Sequence, residues 1–484
     1  MSAAARDREA LYIEGRWQPS ASSATTAVIS PTTEEVFGVA PAGAPADVDA
    51  AVAAARSALN SSPWSTWSGA RRADAMEAFA SALEDRAEQT ASLVSGENGM
   101  PIAIARPAEG MGPAATLRYF AQLARETPAE ERRAAVGGPG VTVVRREPVG
   151  VVAAVVPWNF PQSLTMFKVA PALAAGCTVV LKPAPETALD TFQLADAAEQ
   201  AGLPPGVLNI VTGGRDVGAY LVAHPGVDKV AFTGSTAAGR AIAETCGRLL
   251  RPVTLELGGK SAAIVLDDAD LTQVARGLSW ASLLNTGQTC YLSTRILAPR
   301  RRYAQVVEAV ADLAASLPVG DPADPATRVG PLVSAAQRQR VEDYITAGRA
   351  EGGRVATGGG RPAGLDRGWY VEPTVFADLE PAATLAREEV FGPVLAVLPY
   401  DTVDEAVAIA NDSEYGLAGT VWTSDEERGL DLARRMQTGA VGVNFFNLDL
   451  GSPFGGVKAS GLGRELGPEG LAAYVSYKSI YTRG

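Results

Sequence analysis

Histidine is almost absent from this chain, since His224 is the only one among 484 residues. A single imidazole excludes any metal or catalytic site that needs two histidines, and it disfavours a Ser-His-Asp triad. The surrounding Ala223-His224-Pro225-Gly226 is typical of a turn. A nucleophile and a base must therefore come from other residue types.

Cysteine is also scarce, and long apolar runs are missing. Cys177, Cys246 and Cys290 lie far apart and form no Cys-x-x-Cys pattern, so the sequence indicates neither a disulfide framework nor a zinc site and favours a reducing cytoplasm. Residues 1–14 carry charges where a signal peptide needs an apolar stretch, and no segment approaches the roughly 20 apolar residues that cross a bilayer. We expect a cytoplasmic protein with no membrane span.

Positive charge is in deficit, with a formal net charge of -12. Lys and Arg are scattered among acids rather than clustered, so we expect no nucleic-acid partner. The chain also has no G-x-G-x-x-G fingerprint. Gly258-Gly259-Lys260-Ser261 resembles the end of a phosphate-binding Walker motif, but Thr254 occupies the position of its first glycine.

What the chain does contain is a regular alternation of short apolar segments and helical segments. Strands at 151–156, 178–181, 207–211 and 229–232 alternate with helices and predict a parallel sheet covered on both faces. A second such series starts near Ser261 and includes strands at 262–266, 394–398, 419–423 and 440–443. Residues 47–56 and 71–93 predict helices, and 141–146 an extended segment. Ligands of such sheets bind beyond the carboxyl ends of the strands.

A cysteine in a polar loop, Asn285-Thr286-Gly287-Gln288-Thr289-Cys290, is the strongest candidate for chemistry. A lone cysteine is usually an inert apolar residue. However, Glu256 ends an apolar run near the expected domain boundary, so a candidate base and this nucleophile are expected to face one cleft.

Three strand ends carry further polar candidates, each with an ordinary alternative. Asn159, between two prolines, is an oxyanion donor or the cap of the next helix. Lys182 is a ligand for a ribose or phosphate, or an exposed surface lysine. The turn at Thr233-Gly234-Ser235 suits a pyrophosphate or is a plain tight turn.

Six motifs, in this order along the chain, together resemble the NAD(P)-dependent aldehyde dehydrogenase superfamily from about residue 12 to the end. They are Pro157-Trp158-Asn159-Phe160-Pro161, Phe232-Thr233-Gly234-Ser235, Leu255-Glu256-Leu257-Gly258-Gly259-Lys260, Gly287-Gln288-Thr289-Cys290, Glu389-Val390-Phe391-Gly392-Pro393 and Pro453-Phe454-Gly455-Gly456. Any one motif is weak evidence, but the ordered set is specific.

The resemblance implies an α/β fold with a Rossmann-type parallel-sheet cofactor domain, an α/β catalytic domain and a small β oligomerisation arm. The implied bounds are 1–128 and 149–256 for the cofactor domain, 257–459 for the catalytic domain, and 129–148 and 466–484 for the arm. A homodimer or homotetramer is expected, because the arm would extend a sheet between subunits.

The resemblance also implies a mechanism for oxidising an aldehyde to a carboxylic acid. Cys290 attacks the aldehyde carbon, and the side-chain amide of Asn159 with the backbone N–H of Cys290 holds the oxyanion. Hydride transfer to NAD(P) leaves a thioester, and Glu256 activates the water that hydrolyses it.

Cofactor and substrate contacts follow from the same resemblance. The implied cofactor residues are Trp158, Lys182, Gly213, Gly234, Ser235, Glu389 and Phe391. Phe160, Phe167, Thr289, Tyr291, Leu448 and Phe454 are expected to line a substrate tunnel. These tunnel residues indicate an apolar aldehyde, although core packing is an alternative for some of the aromatic residues.

The chain departs from the family at two places. NAD-preferring members carry a glutamate where Pro185 stands, next to Glu186; we favour NAD because no arginine lies nearby, and NADP use stays open. The position of a second, proton-relaying carboxylate corresponds to Ser476, so we expect Glu256 to act alone. Acyl transfer to coenzyme A and a non-catalytic scaffold of the same fold remain alternatives.

Overall fold

The computed structural model describes residues 7–483. Residues 1–6 and 484, which the predicted domain bounds include, lie outside the described residues. The α-helices are, in chain order, Pro45–Ser61, Gly69–Glu84, Ala87–Asn98, Ile102–Ala105, Gly112–Glu126, Pro161–Ala175, Thr191–Gln200, Arg215–Ala223, Thr236–Arg248, Leu271–Ala281, Tyr303–Ser316, Ala335–Ala350, Thr384–Arg387, Val403–Asn411, Glu426–Arg435 and Gly467–Ala472.

The first large sheet has eight strands. Their order across the sheet is Gly461–Leu462, Val253–Glu256, Lys229–Thr233, Val151–Val155, Thr178–Lys182, Leu208–Ile210, Ala10–Ile13 and Arg16–Pro19. The five strands from Val253–Glu256 to Leu208–Ile210 are parallel. The predicted parallel sheet is confirmed.

The central strands of this sheet are apolar on both faces because helices cover both. In Val151–Val155, Val152 and Ala154 pack into one buried cluster, whereas Val151 and Ala153 pack into another on the opposite face. Burying a side chain such as valine contributes about 1.5–3 kcal/mol. The continuous apolar run therefore fixes a strand that lies between two helical layers.

The second large sheet has seven strands and the same layered construction. Their order is Arg354–Thr357, Thr374–Ala377, Val394–Tyr400, Ser293–Pro299, Ser261–Val265, Gly419–Trp422 and Gly442–Val443. All neighbouring pairs are parallel except the first. The loop that carries Cys290 leads into the strand Ser293–Pro299, which lies at the centre of this sheet.

Two small antiparallel sheets complete the described residues. One contains Glu130–Ala134, Val141–Pro148 and Val475–Thr482, with Val141–Pro148 in the middle. The predicted extended segment at 141–146 is thus a strand of the arm. The other sheet pairs Thr25–Ile29 with Val36–Pro41.

One local prediction is wrong, and some strands were missed. The helix predicted at 71–93 is two helices, Gly69–Glu84 and Ala87–Asn98, because the backbone leaves the helical conformation at Arg86, with φ -107° and ψ 1°. The Arg86 side chain donates to the carbonyl of Ala82 at the end of the first helix. The strands before residue 45 were not predicted. One of them, Ala10–Ile13, adds to the first sheet in antiparallel fashion.

The α/β fold class agrees with the solved structures described below, whereas the exact domain bounds stay a prediction. Between residues 7 and 483, no helix has the length and apolar character needed to cross a membrane.

Candidate active site

Two cavities meet at the side chains of Cys290 and Asn159. The larger, the apolar cavity, has a volume of about 420 Å³, and the smaller, the mixed cavity, about 300 Å³. Small-molecule sites usually occupy about 300–1,000 Å³. The nucleophile predicted from sequence therefore lies where two ligands could meet.

The loop before Cys290 has an unusual backbone. Asn285 and Thr286 have positive φ values of 48° and 58°, and Gly287 follows at 75°. Such conformations cost about 1–3 kcal/mol for residues other than glycine and tend to occur at functional sites. The loop is held by hydrogen bonds from Asn285 Nδ2 to Asn159 O at 2.9 Å, from Thr286 Oγ1 to Gly330 O at 3.2 Å and from Val333 N to Gln288 Oε1 at 3.0 Å.

The environment of the Cys290 thiol favours its neutral form. Burial raises the pKa of Cys290, and the nearby charges of Glu389 and Glu256 raise it further. The backbone N–H groups of Cys290 and Tyr291 act in the opposite direction and lower it. The thiol consequently needs a base, or a change in its surroundings, before it can attack.

Asn159 is buried after the strand Val151–Val155 and does not cap the next helix. Phe160 occupies the cap position of the helix Pro161–Ala175, with no side-chain capping bond. Asn159 Nδ2 instead donates to Gln288 O at 3.0 Å. An amide nitrogen carries two hydrogens, so the second can serve a ligand at the junction of the cavities.

Glu256 ends the strand Val253–Glu256 and is only 2% exposed. Neither carboxylate oxygen has a hydrogen-bond partner among the described residues. Burial raises the pKa of Glu256 well above its usual range, and the charge of Glu465 raises it further. Glu256 lines neither cavity, yet it is near enough to influence Cys290. Such a carboxylate is a strong proton acceptor.

A second carboxylate does lie beside Glu256, so the expectation that Ser476 stands in its place is wrong. Ser476 is exposed on the strand Val475–Thr482 in the arm. The neighbour of Glu256 is Glu465, which is 2% exposed. Glu465 Oε1 accepts a hydrogen bond from Lys168 Nζ at 2.7 Å, and the same ammonium donates to Thr233 Oγ1 at 2.6 Å. Glu256 therefore does not lie alone.

Five of the seven predicted cofactor residues line the mixed cavity: Trp158, Gly234, Ser235, Glu389 and Phe391. Pro157, Thr233, Leu257 and Gly258, which belong to the quoted motifs, also line it, and sequence reasoning missed Gln337 and Arg340. Gln337 and Arg340 lie on the helix Ala335–Ala350, for which the sequence carried no site signal.

The turn before the helix Thr236–Arg248 forms one wall of the mixed cavity. Ser235 caps this helix, with its Oγ accepting from Ala238 N at 3.3 Å. A Cβ on Gly234 would lie 2.5 Å from the ring of Phe232, so a larger residue there would require the ring to move. Free N–H groups at a helix N-terminus suit a pyrophosphate.

Glu389 is partly buried and fixed rather than an exposed acid. Its Oε1 accepts from Gly259 N at 2.9 Å, and a Cβ on Gly258 would lie 2.4 Å from its Oε2. Burial raises the pKa of Glu389 to about 7, partly offset by the Gly259 hydrogen bond and by Arg340. The carboxylate is held where a ribose hydroxyl could bind.

Trp158 and Phe391 pack edge to face, with ring centroids 5.3 Å apart and an interplanar angle of 83°. Phe391 has a positive φ of 62°, and its carbonyl accepts from Gln337 Nε2 at 2.8 Å. The main-chain oxygen of Trp158 accepts from Asn98 Nδ2 at 2.7 Å. Hydrogen bonds to the main-chain oxygens of Trp158 and Phe391 therefore help to fix the positions of both rings.

The remaining two predicted cofactor residues, Lys182 and Gly213, are not among those that line the mixed cavity. Lys182 is buried rather than an exposed surface lysine, and its Nζ donates to Pro183 O at 2.6 Å. Burial lowers the pKa of Lys182 to about 8, while Glu186 opposes this shift. Gly213 has a φ of 149° and its Cβ would lie 2.7 Å from Val217. Their cofactor roles stay predictions.

All six residues predicted for the substrate tunnel line the apolar cavity. They are Phe160, Phe167, Thr289, Tyr291, Leu448 and Phe454. No Lys, Arg, Asp or Glu of the described residues lines it. Tyr291 stacks on Phe446, with centroids 4.9 Å apart, and meets Phe454 edge to face at 6.2 Å. The cavity suits an uncharged, apolar molecule.

Sequence reasoning missed one wall of the apolar cavity. Ile104, Pro107, Ala108, Gly112 and Thr116 line it from a segment that includes a π-helical turn, Arg106–Met111. π-turns interrupt regular helix geometry and are frequent at functional sites. A proline within a helical stretch was the one available signal.

Comparisons with known proteins agree with this geometry. A family model described as "Aldehyde dehydrogenase family" matches residues 17–480. The geranial dehydrogenase of Castellaniella defragrans is 54% identical over 478 residues, which cover 99% of this chain and 99% of that protein.

Solved structures share the whole fold. A Mycobacterium tuberculosis aldehyde dehydrogenase complexed with NAD+ is 47% identical, with a TM-score of 0.96 and 98% of each chain covered. A mutant of Pseudomonas syringae aldehyde dehydrogenase C, in complex with NAD+ and octanal, is 41% identical, with a TM-score of 0.94 and 98% of this chain and 96% of that chain covered.

Proposed function

Because the chain belongs to the aldehyde dehydrogenase family, we propose that Cys290, Asn159 and Glu256 carry its reaction and that its substrate is an apolar aldehyde. The chain is an NAD(P)-dependent aldehyde dehydrogenase that oxidises an aldehyde to the carboxylic acid. The observation that carries the assignment of Cys290 and Asn159 is the junction of the apolar and mixed cavities at these two residues. The assignment of Glu256 is supported by its buried carboxylate, whose charge acts on Cys290.

The first step is attack by Cys290 on the aldehyde. Its sulfur forms a bond to the carbonyl carbon, and the C=O electron pair moves to oxygen. The second Nδ2 hydrogen of Asn159 and the backbone N–H of Cys290 stabilise that oxyanion; one such donor is typically worth about 2.7–4 kcal/mol. The thiol proton goes to a carboxylate, and Glu256, with its raised pKa, is a suitable acceptor.

The residues of the mixed cavity fit NAD(P). Ser235 with the N-terminus of the helix Thr236–Arg248 would hold the pyrophosphate, and Glu389 with Phe391 the nicotinamide ribose. A nicotinamide held there would supply the acceptor for the hydride from the former aldehyde carbon, which would leave a thioester on Cys290. We propose NAD as the preferred form, since Glu186 adds negative charge near Lys182.

Hydrolysis of the thioester completes the reaction. Glu256 takes a proton from water as the water oxygen attacks the thioester carbon; the C–S bond then breaks, and Cys290 leaves as thiolate. Only ionised Glu256 can do this, so the hydrolysis rate rises with pH until the raised pKa of Glu256 is passed. Glu465 lies next to Glu256 and could receive the proton.

The neutral lining of the apolar cavity supports an aliphatic or terpenoid aldehyde. A substrate carboxylate or ammonium would lose hydration there without gaining a charged partner, which is costly. The named substrate of one relative, geranial, and the octanal bound to a structural neighbour are both apolar.

We expect purified protein to reduce NAD with octanal and geranial, and to prefer NAD to NADP. Succinic semialdehyde and 4-aminobutanal should have kcat/KM values at least about tenfold lower, because each carries a charge. Initial rates across this panel, measured with each cofactor, provide the test. Equal activity on the charged aldehydes would refute the assignment of an apolar substrate. An acyl-CoA product would show that the thioester is consumed by acyl transfer and not by hydrolysis.

We further propose that the arm assembles the chain into a dimer or a dimer of dimers. The strand Val475–Thr482 pairs on one edge only and exposes large apolar side chains, with Tyr477, Ile480 and Tyr481 at 61%, 41% and 81%. Free apolar strand edges favour pairing with another chain.

Light scattering should accordingly give a mass of two or four chains, and Ile480→Lys combined with Tyr481→Lys should reduce it. Tyr220→Lys, which changes an exposed tyrosine on the helix Arg215–Ala223, is the matched control. A monomeric unaltered protein would disprove the assembly.

A cytoplasmic location is also proposed. The described cysteines Cys177, Cys246 and Cys290 are all free, which suits a reducing compartment. Partitioning of the activity on cell fractionation tests this location.

A further inference from the structure

One wall of the mixed cavity, the segment 389–391, lies outside any helix or strand. Its last residue, Phe391, has a φ of 62°, a conformation that persists in a residue other than glycine only where the surroundings hold it. No main-chain N–H among residues 7–483 donates to the carbonyl oxygens of Glu389, Val390 or Phe391. The shape of this wall therefore depends on side chains of neighbouring elements.

The helix that carries Gln337 and Arg340 supplies those side chains from one face. Gln337 Nε2 donates to Phe391 O at 2.8 Å and to Val390 O at 3.4 Å. Arg340 donates from Nη2 to Glu389 O at 2.6 Å and from Nε to Val390 O at 3.3 Å. Three successive main-chain oxygens of the wall thus accept from two side chains that are one helical turn apart.

Tyr344, one turn further along the same helix, holds the guanidinium of Arg340 in place. The Cζ of Arg340 lies 5.0 Å from the ring centroid of Tyr344, and its Nη2 donates to the tyrosine hydroxyl at 3.2 Å. That hydroxyl donates in turn to Glu388 Oε2 at 2.7 Å. The planar fork of the guanidinium is therefore fixed between the tyrosine ring and the wall, a geometry that a lysine could not reproduce.

The charge of Arg340 also acts on the Glu389 carboxylate. Burial raises the pKa of Glu389 to about 7, and Arg340 is among the groups that oppose this rise. The groups that face the carboxylate from other elements are the Gly259 N–H, Lys260, Cys290 and Tyr415. Burial lowers the pKa of Lys260 to about 7, so its ammonium is partly lost at neutral pH, whereas the exposed guanidinium stays charged.

We propose that Arg340 is a positioning residue for the cofactor, which holds the main-chain oxygens of Glu389 and Val390 and thereby aims the Glu389 carboxylate at the nicotinamide ribose. Its charge also favours the ionised carboxylate, which can accept hydrogen bonds from both ribose hydroxyls. This inference rests on the proposed function of the mixed cavity as the NAD site.

The test measures NAD binding by calorimetry without aldehyde, between about pH 5.5 and 9. The unaltered protein should bind NAD more tightly above about pH 7, because the ionised Glu389 is the form that accepts from the ribose. In Arg340→Gln the Kd should rise about tenfold above this limb, since hydrogen bonds from a charged donor are lost. The limb should also move to higher pH, because the charge that favours ionisation is gone. Glu389→Gln should abolish the limb, which separates it from the titration of Lys260.

Three further variants separate positioning from a general effect on the helix. Arg340→Lys keeps the charge but not the fork, so the limb should stay in place while part of the loss of affinity remains. Tyr344→Phe removes the hydroxyl and keeps the ring, and should weaken binding less than Arg340→Gln does. Arg349→Gln is the matched control: Arg349 is an exposed arginine of the same helix, but it donates to Gly359 O at 2.9 Å and does not line the mixed cavity. Its NAD affinity and limb should equal those of the unaltered protein.

A limb that stays in place in folded Arg340→Gln would refute the role of Arg340, as would an equal loss of affinity in Arg349→Gln. Circular dichroism establishes folding, and if Arg340→Gln does not fold, an unaltered affinity in Tyr344→Phe has the same meaning. Each of these results leaves the proposed function intact. If the unaltered protein binds neither NAD nor NADP, the proposed function of the mixed cavity itself fails.

Discussion

Cys290→Ala should abolish aldehyde oxidation, lowering kcat by about five to six orders of magnitude, as the loss of a nucleophile does in other covalent enzymes. Alanine cannot form the bond to the aldehyde carbon, and without that bond the hydride donor is an aldehyde rather than a tetrahedral oxyanion. The other described cysteines cannot substitute, because Cys177 and Cys246 are fully buried in different core clusters.

NADH formation with octanal measures the effect, and Cys246→Ala is the matched control, which should retain activity. Because Cys290 lies at the junction of the cavities rather than in a packed core, the alanine variant should fold and still bind NAD in calorimetry. Turnover above about one percent would show that another group attacks the aldehyde, and would remove the basis of the proposed mechanism.

The parallel sheets and the apolar cavity could be predicted because their signals are local. Val151 and Ala154 are apolar and lie on opposite faces of one strand. A strand that is apolar on both faces indicates that both faces are covered. The tunnel residues Phe160, Tyr291 and Phe454 adjoin the most specific motifs, so the resemblance placed them directly.

The carboxylate next to Glu256 could not be predicted because it depends on long-range packing. Glu465 meets Lys168 across 297 residues of sequence. Position near the C-terminus predicts Ser476, but the chain between Glu465 and Ser476 turns away into the helix Gly467–Ala472 and the arm. The number of residues along a loop does not show which side chain of that loop faces the buried Glu256.

The same limit applies to the walls that Ile104 and Gln337 contribute. Each comes from a helix whose sequence is unremarkable, and each reaches the site only because of how two layers pack. The backbone strain at Asn285 and Thr286 was equally invisible, since neither residue is a glycine. The hydrogen bonds that hold the loop to its neighbours offset the free-energy cost of this strain.

Glu256→Gln should separate the two halves of the reaction. Glutamine nearly preserves the shape of the side chain but cannot take a proton. Attack and hydride transfer should continue, because solvent can take the thiol proton in place of Glu256, whereas hydrolysis should slow by about 10²- to 10⁴-fold. Rapid mixing of the variant with octanal and NAD should then give a burst of about one NADH per site, followed by a slow phase. The acid limb set by the raised pKa of Glu256 should disappear from that slow phase.

Glu109→Gln is the matched control for burying an amide in place of a carboxylate. Burial raises the pKa of Glu109 to about 8, yet its partner is Gln162 N and it acts on neither Cys290 nor Glu256. Its burst and steady rate should therefore resemble those of the unaltered protein.

A Glu256→Gln variant without a burst would mean that Glu256 is already needed to deprotonate Cys290, whose thiol the free protein holds neutral. A variant with an unchanged steady rate would instead assign the water to another base, and Glu465 would then be the nearest described carboxylate to examine.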